Sequence, residues 1–366
     1  MNIRVGILTA PKIEYERREK TFLLKNVRIG IGFHWDRYED QEFAGELEIV
    51  KAKGEGAEAK GEPWETAINT IELEDYLCSV ISSEMSANSP MELLKAHAVI
   101  SRSWAMRAIA NKPHAHFDVC ADDHCQRYEG LRRMNERAVE AVRATEGQVL
   151  VSTKDGCTMY EGTKEEICDC RYYKCCGGKT EIWRTCWEDI DVPYIRSVQC
   201  DWCKSPSPKV LRLVLNDYDR ETEDFHDWQV TYTEDELDEI VRTKSGIDFG
   251  HITALEPLHR GPSGRIDSLR IVGTKHTEVI GKELKIRLWL SRSCLYSSWF
   301  DIEKTTPAPL GEGREGVSSW VFTGHGWGHG AGLCQIGAAV MASEGKSYEE
   351  ILQYYYAGAR LSVATR

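Results

Sequence analysis

The chain has 366 residues, 42% hydrophobic and 28% charged, and a formal net charge of −12. That length allows two domains or one large one, and the composition supports a packed core and argues against wholesale disorder. An acidic balance without a dense Lys/Arg stripe excludes a nucleic-acid partner held through its phosphates. No run of about 18 apolar residues is present, so no transmembrane segment is expected.

Residues 1–64 read as a β-rich part. Apolar and polar residues alternate at Ile3, Val5 and Ile7, again from Phe22 to Ile31, and at Leu47 and Ile49. This predicts an antiparallel sheet or small barrel. The first apolar run is too short for a signal peptide. The chain is therefore expected to be cytosolic, or to have an export signal that is removed or of an unrecognised kind. Residues 51–63 form a polar, Gly-containing loop.

A strand from Thr66 to Ile71 precedes a helix on which Tyr76, Leu77, Val80 and Ile81 recur at helical spacing, with Glu84 near its end. Ser89, Pro90 and Glu92 read as the N-cap, first position and capping-box partner of a second helix running to about Asn111. Lys95 and Arg102 lie seven apart on one face. A lone acid at a helical corner near two cations suits an acid/base site, and equally an ordinary helical hairpin with surface charges.

His114, His116, Cys120, His124 and Cys125 crowd one short polar loop. Four N/S ligands suit a structural zinc, whereas thiolate disfavours calcium or magnesium. A Cys120–Cys125 disulfide, or residues with no shared role, are the alternatives. A helix over 131–146 stops at Gly147, and a strand follows from Gln148 to Ser152.

Of the 13 cysteines, eight lie within 157–203. The odd total leaves at least one outside any internal disulfide. Gly177-Gly178-Lys179-Thr180 lacks the first glycine and spacer of a phosphate loop, so that reading is rejected. Cys200 and Cys203 form a C-x-x-C pair that fits half of a second zinc site, a redox pair or one disulfide.

Thr233 to Glu236 predicts a helix start, and alternation over 251–290, including Leu284, Ile286 and Leu288, predicts further strands. Residues 320–338 alternate five glycines with His325, Trp327 and His329. So much glycine predicts an irregular loop approaching a ligand closely. A sugar fits, with an aromatic face for the ring and imidazoles for hydroxyls, and the two histidines could instead bind a metal. A helix from Cys334 to Met341 follows, and a last one opens at Ser347 with Glu350 as its capping box.

Several blocks in this order resemble the SpoIID/LytB family (stage II sporulation protein D and amidase enhancer). They are Ile71 to Leu77 through Ser83-Glu84-Met85, Glu92 to Ala98 with Arg102, Cys176 to Glu181, Pro193 to Val198, Ser263-Gly264-Arg265, Gly324 to Gly330 through Gln335, and Ser347 to Leu352 with Tyr355-Tyr356. The family usually has Gln where this chain has His97.

The resemblance implies an α+β fold: mixed β-sheets, a helical hairpin carrying a catalytic Glu84, and the Gly/His-rich loop lining the same cleft. It implies a core over 65–366, from which the Cys-rich stretch at about 157–203 departs as an insertion, while the alternation marks a β-rich part at about 251–302. It also implies a lytic transglycosylase cutting the MurNAc–GlcNAc bond of peptidoglycan strands stripped of stem peptides, leaving 1,6-anhydroMurNAc ends. Glu84 acts as acid and then base, since the sugar's own 6-hydroxyl is the nucleophile. Ser83, Lys95, Arg102, Tyr173, Lys179, His325, Trp327, His329 and Gln335 are the implied substrate contacts. His114, Cys120, His124 and Cys125 are the implied ligands of a structural zinc, with His116 competing for His114's place, and no cofactor serves catalysis. The expected partners are glycan strands and a cell-wall amidase, and the expected location is the cell envelope after export. The alternatives are a non-catalytic glycan-binding enhancer of an N-acetylmuramoyl-L-alanine amidase and, last, a zinc-dependent hydrolase built on residues 114–125.

Overall fold

The computed structural model of the protein describes residues 1–31, 36–53, 63–86, 88–122, 124–153, 165–204, 206–215, 226–305 and 318–364. Cys157 and most of the polar stretch 51–63 lie outside these. The fold is α+β. In chain order it begins with β1 (Asn2–Ala10), β2 (Tyr15–Arg17), β3 (Thr21–Ile29), β4 (Arg37–Ala44), β5 (Glu46–Lys53) and β6 (Pro63–Glu72). Helices α1 (Leu73–Glu84) and α2 (Met91–Asn111) follow, then β7 (Val119–Cys120), α3 (Glu136–Ala144), β8 (Gln148–Thr153), β9 (Glu165–Ile167) and β10 (Tyr172–Tyr173). Next come α4 (Trp183–Cys186), a 3-10 turn at Asp201–Cys203, α5 (Pro208–Val214), β11 (Asp227–Thr233) and α6 (Glu234–Ser245). The chain continues through β12 (Ile252–Arg260), β13 (Ile266–Gly273), β14 (Thr277–Ile280), α7 (Glu283–Trp289), β15 (Phe300–Thr305) and β16 (Ser319–His325). It closes with β17 (Leu333–Cys334), α8 (Gln335–Ser343), α9 (Tyr348–Tyr355) and β18 (Arg360–Val363).

The first sheet has the order β5-β6-β1-β7, with β7 parallel to β1 and the other pairs antiparallel. β2-β3-β4 and β18-β8-β9 make two smaller sheets, and β10 pairs in parallel with β17. One hydrophobic core runs from Ile3 in β1 to Ala359 before β18, and takes in the helices α1, α2, α8 and α9. A second core gathers β11-β16-β15, β12-β13-β14, α6 and α7 around Leu237, Ile271 and Phe322.

β6 runs straight into α1, where Glu74 and Asp75 in the first turn favour the positive end of the helix. Nearly every side chain from Tyr76 to Ser83 is buried. Three serines in this run bond back to the chain, as Ser82 and Ser83 do to carbonyls one turn earlier and Ser79 to Gly130. A helix enclosed on all sides holds its last residue, Glu84, in a fixed place.

Three local expectations are corrected. Ser89 does not cap α2: the N-cap is Pro90, and the Ser89 hydroxyl donates to the Leu213 carbonyl. Glu92 completes no capping box; its carboxylate accepts from the Tyr348 amide at 2.9 Å, tying α2 to the start of α9. Leu284, Ile286 and Leu288 sit on α7, not a strand, with Ile286 buried and Leu284 exposed. Three alternating positions cannot distinguish the two periods, and burial of Ile286 and Arg287 on one face decides for a helix. The glycine-rich stretch also begins as regular structure. Gly324 pairs with Trp228 and Phe300 across β11 and β15, and a Cβ there would lie 2.1 Å from the Trp228 ring. The helix start expected at Thr233 to Glu236 forms, closed by a capping box, and the capping box expected at Ser347/Glu350 forms too.

Candidate functional site

Glu84 is half-buried at the C-terminal end of α1. Its Oε1 accepts from the Tyr172 hydroxyl at 3.0 Å and from the Arg127 amide at 3.1 Å. Burial first, and the Glu84 charge second, push the Tyr172 phenol well above its usual range, so it remains a donor. Two donors from separate elements fix the plane of this carboxyl group.

Tyr172 is held from three sides. Its ring meets the edge of His97 at 4.4 Å, and His97 is fully buried on α2. The Gln335 amide donates to His97 Nε2 at 3.0 Å, leaving Nδ1 to donate to the Ser101 hydroxyl at 3.2 Å. Burial, helped by the charge of Lys174, lowers the His97 pKa to about 3, so the ring stays neutral. The Tyr172 carbonyl accepts from His329 Nε2 at 3.0 Å, while His329 Nδ1 accepts from the Ala331 amide at 3.1 Å. Burial and then Arg171 push His329 well below the ordinary histidine range. The glycine-rich loop is thus joined to Glu84 through the backbone and hydroxyl of one tyrosine.

The tyrosine at Glu84 is therefore Tyr172. Tyr173, on the opposite side of β10, is buried with its ring 5.2 Å from His329. Period two sends neighbours to opposite faces, and nothing in the sequence says which of two adjacent tyrosines faces inward. Ser83 is buried, accepts from the Glu129 amide at 3.3 Å and so braces the turn behind Glu84. Lys95 pairs with Glu92 at 2.7 Å. Arg102 is buried and forks onto Glu74 at 2.8 and 2.7 Å, with further bonds to the carbonyls of Gln148 and Val142. The two cations pair with Glu92 and Glu74 rather than with Glu84. Lys179 sits in an isolated bridge with Gln199.

His325 Nδ1 lies 2.6 Å from Asp227, whose other oxygen is 2.7 Å from His226 Nδ1. Trp327 is buried, its backbone paired with Cys175 and its ring edge-on to Tyr296 with centroids 5.5 Å apart. Beneath the loop, buried Arg265 donates to the Gly328 carbonyl at 3.2 Å, and the Ser263 amide and hydroxyl donate to Glu181. Gly330 has φ +86°, and a Cβ there would lie 2.5 Å from the Arg265 guanidinium carbon. Only glycine both takes that backbone angle and lets the loop lie on the arginine.

Beside Glu84 lies the loop of soft ligands. One ligand atom each from His114, Cys120, His124 and Cys125 falls within 4.8 Å of all the others, a group that could hold a metal ion. His114 Nε2 is 3.2 Å from Cys125 Sγ, and His124 Nδ1 is 3.5 Å from the same sulfur. His116 is exposed, and its carbonyl accepts from Arg4. Hydrogen bonding from Cys125, then from His124, lowers the Cys120 thiol to about 4, while the same contact pushes Cys125 up. The contact favours the Cys120 thiolate over that of Cys125, and a cation bound by both sulfurs would take both as thiolates. Arg127, whose amide holds Glu84, is two residues beyond Cys125.

A family model described as stage II sporulation protein matches residues 63–152, and one described as a domain of unknown function matches 181–332. An uncharacterized protein of Brachyspira hyodysenteriae is 29% identical over 293 residues, covering 80% of this chain and 67% of that protein. Stage II sporulation protein D of Bacillus subtilis is 25% identical over 316 residues, covering 81% of this chain and 76% of its own length. The amidase enhancer of Bacillus subtilis is 25% identical over 311 residues, covering 78% of this chain but 40% of the enhancer. The first family model spans β6, α1, α2 and the four-ligand loop, the elements that build the surroundings of Glu84. Residues 63–152 thus match the stage II sporulation protein model, and about four fifths of the chain is similar to stage II sporulation protein D.

Proposed function

We propose that the protein is a peptidoglycan lytic transglycosylase, cutting between MurNAc and GlcNAc in strands without stem peptides. The observation that carries this reading is one oriented carboxyl group, Glu84, whose Oε1 is fixed by Tyr172 and Arg127. An ordinary glycosidase needs two carboxylates, but here the substrate supplies the nucleophile. Glu84 gives its proton to the glycosidic oxygen as the C1–O bond breaks. The resulting carboxylate then takes the proton of the same sugar's 6-hydroxyl as that oxygen closes on C1, giving the 1,6-anhydro end. Donors on Oε1 favour the charged form, so protonation depends on desolvation when the glycan covers the site. Ser83, Tyr173, His329 and Gln335 serve this reading as support for Tyr172 and the loop. Lys95, Arg102, Lys179, His325 and Trp327 are proposed to act on more distant parts of the strand or its cleft.

The metal at His114, Cys120, His124 and Cys125 is proposed to be zinc, which matches two sulfur and two nitrogen ligands. With four protein ligands it is structural, and it pins the loop whose Arg127 amide holds Glu84. The substrate places the protein in the cell envelope. Among the described residues no helix is long and apolar enough to cross a membrane.

The similarity to an amidase enhancer favours a second reading, a glycan-binding partner of an N-acetylmuramoyl-L-alanine amidase without turnover of its own. Glu84→Gln separates the two. Mass spectrometry of products from denuded glycan should show anhydro-ended fragments falling by about 10²-fold or more, with glycan binding retained. Equal product from the variant would sink the catalytic reading, and no product from either protein, with stimulation of an added amidase, would establish the enhancer.

A further inference from the structure

A second sulfur cluster lies deep in the larger core. Cys176, Cys200, Cys203 and Cys334 are each fully buried, and their four sulfurs all lie within 4.8 Å of one another. They come from three separate segments: the turn after β10, the C-x-x-C turn at Asp201–Cys203, and the junction of β17 with α8. We infer that these four cysteines form a second, tetrathiolate metal site, which takes a single zinc ion.

Spacing supports one ion. Zinc–sulfur bonds of about 2.3 Å in a tetrahedron separate the sulfurs by about 3.8 Å. The Cys176–Cys203 contact of 3.1 Å and the outer limit of 4.8 Å bracket that value. A cuboidal iron–sulfur cluster carries its cysteines on separate corners and spreads them wider than this group.

The polar surroundings also suit thiolates. Cys334 Sγ accepts from the amides of Cys176 at 3.3 Å and Gly337 at 3.4 Å, and Cys176 Sγ accepts from the Gly178 amide at 3.4 Å. The Tyr355 hydroxyl lies 3.3 Å from Cys200 Sγ. Uncharged buried thiols have little need of amide donors, whereas charged sulfurs around a cation are stabilised by them. A Cβ at Gly337 would lie 2.9 Å from Cys200 Sγ and 2.3 Å from the Tyr355 oxygen, so that position admits only glycine beside the cluster.

The ion would clamp the glycine-rich loop. Cys334 ends β17, which pairs with the Tyr172 strand, and the loop between β16 and β17 carries His329. This inference stands apart from the catalytic reading, because its readout is metal content.

The test is metal analysis of full-length protein produced with zinc and without chelator. Wild type should hold about two zinc ions per chain. Cys120→Ser should leave about one, Cys203→Ser about one, and the double variant essentially none. Cys175→Ser, at a buried cysteine that touches Cys203 and Cys334 without being one of the four, should keep both. Should Cys203→Ser not fold, the Cys120→Ser protein loaded with cobalt alone still reports: X-ray absorption should find four sulfur neighbours. One zinc per chain in wild type, lost on Cys120→Ser, would overturn the site. So would a Cys200–Cys203 or Cys176–Cys334 disulfide in the alkylated protein, or loss of the second zinc on Cys175→Ser.

Discussion

The group at His114, Cys120, His124 and Cys125 is drawn from one loop, and its members are half-buried or exposed. The group at Cys176, Cys200, Cys203 and Cys334 is fully buried and closes a span of 158 residues between Cys176 and Cys334. A local set organises a short loop, which here means the Arg127 amide on Glu84. A distributed set ties together parts of the core that the chain brings in separately. Similar chemistry should therefore produce opposite phenotypes, one mostly in activity and the other mostly in stability.

Losing the distributed group is the largest expected effect. Cys203→Ser should destabilise the protein by more than about 4 kcal/mol, the range associated with loss of a metal or damage to a core. Thermal melting checks this, and a melting point near wild type would remove the contrast. Cys120→Ser should cost less, about 1–3 kcal/mol. Its activity on denuded glycan should nevertheless fall at least tenfold, by roughly the 1.4 kcal/mol that such a factor represents. If stability and activity fall together at both clusters, the division between them fails.

Tyr172→Phe probes the point where the two regions meet. It removes one donor from Glu84 and should cost about 0.5–1.5 kcal/mol in stability. Because that donor favours the charged carboxylate, its loss should let Glu84 keep its proton to higher pH and move the alkaline limb of the pH–rate profile upward. Tyr173→Phe serves as the comparison and should leave the limb in place.

The effect that is smallest near neutral pH, and grows only in acid, concerns His97. Its folded pKa of about 3 lies below the ordinary 6.5, so the unfolded chain binds a proton that the folded one does not. Stability from this group is complete above pH 6.5 and is lost as pH falls from there towards about 3, by at most roughly 1.4 kcal/mol per pH unit. His97→Gln keeps a polar partner for Gln335 and should flatten that slope while changing stability little at neutral pH. Denaturant melts across the acid range would measure it.

The sequence by itself determined the elements whose signals are local. The helix ending at Glu84, the helix start at Thr233, the capping box at Ser347, and the crowded ligands after α2 were legible because their residues lie within a few turns of one another. Only the tertiary structure decided the rest. Glu92 has the right spacing for a cap but binds the amide of Tyr348, 256 residues away. Arg102 shares a helical face with Lys95, yet burial beside Glu74 consumes its charge. Tyr172 and Tyr173 are equivalent as letters and opposite as side chains, and Cys334 shows its partners only once β17 lies beside β10. Each of these outcomes turns on which distant groups share a buried space, where an unpaired charge or donor is costly. Spacing along the chain carries no record of that.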